Sequence, residues 1–94
     1  MMIVWSRRAL RHLVYIRQRI EKDSEQNAAL VASRILEAVD LIQNHPEIGR
    51  PGRVVGTREL VVPQTPYVIP YRVRRERLEL IAVFHGRQRW PLKL

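Results

Sequence analysis

The chain has 94 residues, 46% of them apolar, and a formal charge of +8 from 17 Lys and Arg against nine acids. That length holds one domain with a modest core, burying about 60–65% of the unfolded surface, and the apolar share excludes intrinsic disorder. No apolar run approaches the roughly 20 residues that span a bilayer, and the absence of cysteine removes disulfides and thiolate chemistry together.

Ile3-Val4-Trp5 is a short apolar run ahead of a helix start and reads as a strand. Nothing in Met1–Trp5 pairs a basic segment with an apolar block, so no export signal is expected and a cytoplasmic location is. Ser6 can cap the helix that follows. In that helix Ala9, Leu13, Ile16 and Ile20 recur at helical spacing with Leu10 beside them, while Arg7, Arg8, Arg11, Gln18 and Arg19 take the other face. The polar stretch Glu21–Gln26 interrupts the pattern, and Asp23 or Ser24 can cap a second helix from about Glu25 to Asn44. Its stripe is Ala28, Ala32, Ile35, Val39 and Ile42, widened by Val31 and Leu36, and His45-Pro46 ends it.

Glu47–Gly56 is a turn-rich connection with Gly49, Pro51, Gly52 and Gly56. Three segments rich in β-branched and aromatic residues follow: Thr57–Val62, Tyr67–Val73 and Leu78–Phe84. Pro63-Gln64-Thr65-Pro66 and Arg74-Arg75-Glu76-Arg77 are the tight connections between them. The order β-α-α-β-β-β predicts an α+β fold, a two-layer sandwich in which a helical hairpin packs on an antiparallel sheet. Pro70 lies inside the third strand and cannot donate to a ladder, which predicts an edge position or a bulge there.

The charge is unevenly placed. Residues 50–94 hold nine Arg and Lys93 against Glu59, Glu76 and Glu79, a net of +7, while residues 1–49 balance to +1. Arg presents a planar fork that pairs bidentately with carboxylate or phosphate, so nucleic acid, an acidic protein and an acidic groove on a larger assembly are the partner classes that fit. An Arg-rich composition by itself would not separate the two halves.

Five motifs in order carry a resemblance. They are Trp5-Ser6-x-x-Ala9, His45-Pro46-x-x-Gly49-Arg50, Gly56-Thr57-Arg58-Glu59-Leu60, Tyr67-Val68-Ile69-x-Tyr71-Arg72-Val73 and Val83-Phe84-His85-Gly86-Arg87-x-x-Trp90-Pro91. Together they resemble the RelE/ParE superfamily of bacterial type II toxins over nearly the whole chain. The resemblance implies the same β-α-α-β-β-β order, growth arrest, and silencing by a cognate antitoxin whose partly disordered, acidic segment wraps the toxin. It also implies a choice of target. RelE-like members cut mRNA in the ribosomal A site, whereas ParE-like members act on DNA gyrase and are not nucleases.

Cutting RNA through its 2′-hydroxyl needs a base, an acid for the leaving oxygen and cations around the phosphate. RelE-like toxins resemble one another in an Arg just before the segment equivalent to Ile69-Pro70-Tyr71; here that position is Val68. They also usually carry a Tyr or His-Tyr near the C-terminus, where this chain has Arg89-Trp90-Pro91-Leu92-Lys93-Leu94. Arg87 matches an Arg of the nuclease branch, but ParE-like members keep one there too. A ParE-like inhibitor of gyrase is therefore the expected function, with Arg58, Arg72, His85, Arg87, Arg89 and Trp90 as the surface that meets target or antitoxin. The alternative is a ribosome-dependent mRNA endonuclease using Arg58, His85 and Arg87, and a further alternative is a decayed toxin kept as a binding module. Another cation in place of the missing one, facing His85 in a concave pocket, would speak for the nuclease.

Several residues also have plainer readings. His85 can simply order the turn through Gly86, and His12 lies on a helix flank. Glu59 reads as a strand residue paired with Arg58, Arg72 or Arg87. Trp5 and Tyr71 read as core, and Arg74, Arg75 and Arg77 as a solvated hairpin tip. The three histidines lack metal-ligand spacing, and neither a metal nor a cofactor is expected.

Overall fold

The structure is a computed structural model that describes residues 1–88. Strand β1 (Met2–Trp5) leads into helix α1 (Arg7–Glu21) and helix α2 (Glu25–Asn44). Strands β2 (Arg50–Pro51), β3 (Arg58–Val61), β4 (Tyr67–Arg74), β5 (Arg77–Leu80) and β6 (Phe84–His85) follow. Both helix starts are capped as the sequence predicts: Ser6 Oγ accepts the Ala9 N–H at 2.9 Å and Ser24 Oγ accepts the Asn27 N–H at 3.1 Å.

The two helices pack on one face of a six-stranded sheet of order β1-β5-β4-β3-β2, with β6 also on β4. Ala9, Ile16, Ile35, Ala38, Val39 and Ile42 meet Ile69, Tyr71, Leu78 and Leu80 in the core. The predicted stripes are slightly rotated. Leu10 and Leu36 are exposed, and Ala38 is buried instead.

Strands β3, β4 and β5 form the expected antiparallel meander, but the sheet is mixed, because β1 joins β5 in parallel with Trp5 opposite Leu80. The predicted strand Leu78–Phe84 is broken in two. Leu80 lies opposite Tyr71 and Phe84 opposite Val68, so Ile81–Val83 face only Ile69 and Pro70, a bulge of one residue. Pro70 explains it. The Val62 N–H donates to the Tyr67 carbonyl at 2.9 Å, and alternation from there turns the nitrogen of residue 70 away from β3, toward the bulged strand. A proline has no N–H to offer on that side, and its carbonyl still accepts the Ile81 N–H at 3.0 Å.

The bulge also positions α1. The Ser6 N–H donates to the Leu80 carbonyl at 3.0 Å and Ser6 Oγ donates to the Ile81 carbonyl at 2.7 Å. The Val83 N–H donates to His12 Nδ1 at 3.1 Å, and the His12 ring packs on Phe84 at 5.2 Å. His12 is thus a tie between helix and sheet rather than an idle flank residue.

Candidate functional site

The His45-Pro46-x-x-Gly49-Arg50 motif builds one wall of the molecule. Tyr71, fully buried, donates its hydroxyl to the Pro46 carbonyl at 2.7 Å and accepts the Gly49 N–H at 2.9 Å. A Cβ at Gly49 would lie 2.7 Å from that hydroxyl, so only glycine permits the approach. Burial pushes the Tyr71 phenol above its ordinary pKa, and the Gly49 hydrogen bond and Arg58 oppose the shift.

Arg58 serves the same loop. Its Nη1 donates to the Gly49 carbonyl at 2.8 Å and the Glu47 carbonyl at 3.2 Å. Glu59 does not pair with Arg58, Arg72 or Arg87. Only 3% exposed, it accepts the Arg53 backbone N–H at 2.8 Å and Arg50 Nη2 at 3.2 Å, with Arg53 Nε at 3.8 Å. The connection before β3 folds back over the strand and brings its own arginines to that carboxylate.

Arg72 and Glu79 are opposite one another on β4 and β5, on the face away from the core, and Arg72 Nε donates to Glu79 Oε1 at 2.5 Å. Arg74 Nε is 3.4 Å from the same oxygen. The Arg72 hydrogen bond, with Arg74 beside it, holds the Glu79 carboxyl below its ordinary pKa. Arg75 and Glu76 form the turn between these strands, both at positive φ (53° and 60°), a two-residue hairpin of the primed type.

His85 lies at the other end of β4, opposite Tyr67, whereas Arg58 is opposite Tyr71. Four residues of strand separate them by roughly 13 Å, so Arg58, His85 and Arg87 do not converge on one point. The Arg87 N–H donates to His85 Nδ1 at 3.2 Å, the Gln88 N–H donates to the His85 carbonyl at 2.9 Å, and the ring meets Tyr67 edge-on at 5.7 Å. These contacts order the turn through Gly86, whose N–H donates to the Pro66 carbonyl at 2.7 Å. Val68, in the position where RNA-cutting relatives carry Arg, is buried at 4% exposure opposite Phe84. Arg89 and Trp90 lie outside the described residues.

One hollow of about 350 Å³ does hold His85 with a cation, Arg19, among His12, Tyr15 and Tyr67. Its chemistry is limited. Both imidazoles accept a backbone N–H at Nδ1, so each neutral ring carries its proton on Nε2 and has no free lone pair for a base. Burial, with Arg8 and Arg11 nearby, also pushes the His12 pKa down. The hollow offers hydrogen-bond donors rather than an acid–base pair.

A larger cleft, about 490 Å³, opens where α1 starts beside β1 and β5. Arg7, Arg8, Arg11 and Arg72 line it together with Glu79. Arg8 Nη1 is sealed from solvent with no hydrogen-bond partner among the described residues. Reading the helix as core face and polar face passes over these three α1 arginines. A signal is present: the first turn of α1 has no acid and starts with two cations, against the helix dipole.

The chain is similar to known proteins over most of its length. Residues 3–90 match the family model described as ParE toxin of type II toxin-antitoxin system, parDE. The chain is 49% identical over 89 residues to "Putative toxin Y4kP" of Sinorhizobium fredii, covering 95% of this chain and 92% of that protein. It is 35% identical over 84 residues to "Toxin RelE2" of Caulobacter vibrioides, covering 89% and 93%. Among solved structures, one described as a chromosomal ParDE TA system from P. aeruginosa superposes with a TM-score of 0.81 at 25% identity, covering 90% of this chain and 95% of that one. The chain belongs to the ParE toxin family of type II toxin–antitoxin systems.

Proposed function

We propose that this protein arrests bacterial growth by engaging DNA gyrase, without catalysis of its own, and is held inactive in the cytoplasm by a cognate acidic antitoxin. The observation that carries this reading is the apolar packing of Val68, which leaves no guanidinium where RNA-cutting relatives place one. The engaged Nδ1 atoms of His12 and His85 support it, because the one acceptor lone pair of each neutral ring already receives a backbone N–H instead of facing a 2′-hydroxyl. The excess of Arg over acids favours an anionic partner surface, and Arg72, Arg87 and Arg89, together with His85 and Trp90, are the residues we assign to target or antitoxin. Arg58 contributes chiefly by holding the loop that borders this surface.

A ribosome-dependent mRNA endonuclease is the second reading, favoured by one feature, the presence of Arg19 and His85 in a common hollow. Purified protein assayed with gyrase and in a coupled translation reaction separates the two. Gyrase-dependent DNA breakage with intact mRNA is the expected result. Codon-specific mRNA cleavage with supercoiling untouched would establish the endonuclease instead.

A further inference from the structure

We propose that the turn of residues 54–57 is a preformed knob that seats Val55 in an apolar, acid-rimmed socket on gyrase; this rests on the gyrase reading above. Val55 is 99% exposed, against 62% for Met2, the next most exposed large apolar residue among those described. An exposed valine is ordinary on a loop free to move, but this loop is fastened by its own hydrogen bonds. The Arg53 N–H donates to the Glu59 carboxylate at 2.8 Å, and the Gly52 N–H to the Thr57 carbonyl at 2.8 Å. The Val54 carbonyl accepts the Thr57 N–H at 3.1 Å and Thr57 Oγ1 at 2.6 Å. Gly56 supplies the positive φ, 85°, that a turn of this kind needs at its third residue. Two buried polar residues, Thr57 and Glu59, thus hold an isopropyl group out in water, where it gains nothing in the free chain.

The surroundings indicate the partner. Gly56 borders a hollow of about 360 Å³ with Arg58, Arg72 and the half-exposed Val73, where Glu47 is the one acid among the described residues. Val54 borders the larger cleft at the start of α1 with Arg7, Arg11 and Arg72, and the acid there, Glu79, is held by Arg72 and Arg74. Cations therefore outnumber acids in both hollows beside the tip. An apolar tip with a cationic surround matches a pocket that is apolar at its centre and carries carboxylates on its rim, the usual anatomy of an interface hot spot. A phosphate backbone would engage the arginines but has no pocket for the valine. A disordered antitoxin segment folds by laying its own apolar side chains into hollows of the toxin, and a projecting knob offers it none. A rigid knob loses little entropy on docking, which suits a folded partner whose socket already exists.

Gyrase supercoiling of relaxed plasmid, titrated with the full chain, gives the toxin concentration for half inhibition. Val55→Asp should raise that concentration about 30-fold or more, the size of a hot-spot loss, because a carboxylate would enter an apolar pocket rimmed by acids. Val55→Ala should fall between. Val14→Asp, which puts the same charge on an exposed valine of α1, should stay within about twofold. The melting temperature of Val55→Asp should match the parent's, since the side chain is open to solvent on all sides. Titration calorimetry with the antitoxin, the product of the short acidic reading frame expected beside this gene, should give Val55→Asp and the parent the same Kd within about twofold. Inhibition by Val55→Asp equal to the parent's overturns the proposal and leaves the gyrase reading standing. An equal loss in Val14→Asp, which would make the effect one of net charge, does the same. Loss of antitoxin affinity in Val55→Asp would assign the tip to the antitoxin and equally overturn it. A parent chain that leaves supercoiling untouched overturns both the proposal and the gyrase reading.

Discussion

Tyr71→Phe removes a single oxygen from the centre of the fold, and its cost follows from the contacts. The hydroxyl accepts the Gly49 N–H and donates to the Pro46 carbonyl, and both Tyr71 and Gly49 are buried. An unsatisfied buried amide costs about 1–3 kcal/mol, and the lost bond to the half-buried Pro46 carbonyl, which water can reach, adds about 1 kcal/mol. The sum is about 2–4 kcal/mol, a large part of the roughly 5–15 kcal/mol that holds a domain together. For a chain of this size that lowers Tm by about 10–25 °C. Urea unfolding followed by circular dichroism measures it, with the slope unchanged and the midpoint shifted. Gly49→Ala should be comparably damaging, since its Cβ would meet the Tyr71 hydroxyl at 2.7 Å and ring carbon at 2.8 Å. The two substitutions should be less than additive, because each disturbs the same loop anchor. A loss below about 0.5 kcal/mol for Tyr71→Phe would refute the claim that this hydroxyl fastens the loop, since it would mean both backbone groups find other partners.

Glu59→Ala should cost about 1–3 kcal/mol, chiefly because the Arg53 amide loses its acceptor while the exposed Arg50 head turns to water, whereas Glu59→Gln, which keeps an oxygen, should cost less; chemical denaturation measures both. Burial lowers the folded-state pKa of His12, so below its unfolded pKa the unfolded chain binds the extra proton. That stability is complete above about pH 6.5 and is lost as pH falls toward the lower folded value. Denaturation at pH 7.5 and 5 should show a smaller pH dependence in His12→Gln, which keeps an acceptor for the Val83 N–H. Glu76→Gly should stabilise the β4–β5 hairpin by about 0.5–1 kcal/mol, because Glu76 sits at φ 60° where glycine is at ease; a fall in Tm would show that the turn depends on its side chain.

Much of this fold is legible in the residues, for reasons that differ along the chain. The helices announce themselves twice, by apolar spacing and by Ser6 and Ser24 at their starts, and α2 runs over the expected Glu25–Asn44. Alternation along a strand tells which face a residue takes but not which strand lies beside it. The parallel pairing of β1 with β5 is therefore hidden, although Ile3 and Trp5 do pack on the core. Leu78–Phe84 is apolar throughout, and nothing within it marks the break; the cause is Pro70 on the neighbouring strand, whose missing N–H does predict a disturbance. The two-residue β2 lies concealed in a stretch dominated by Gly and Pro.

The candidate site is harder to read because Arg is so abundant. Composition points to cations after residue 49, and Arg72 does occupy an open sheet face. Arg58 instead spends its guanidinium on loop carbonyls, and Glu59 takes Arg50 and Arg53, partners chosen by a chain reversal that spacing does not encode. Arg8 escapes notice because a helical wheel sees one helix, while the cleft beside it is also lined by residues of β1, β4, β5 and the loop before β3. His85 behaves as its plainer reading suggests, ordering the turn that follows it.

The central claim is that this chain stops growth through gyrase and not by cutting message. Relaxed plasmid incubated with purified gyrase, ATP and increasing toxin measures it directly. Supercoiling should fall and gyrase-linked DNA breaks accumulate as toxin is added, and antitoxin should reverse both. Undiminished supercoiling at toxin concentrations that halt translation and cleave ribosome-bound mRNA would contradict the account.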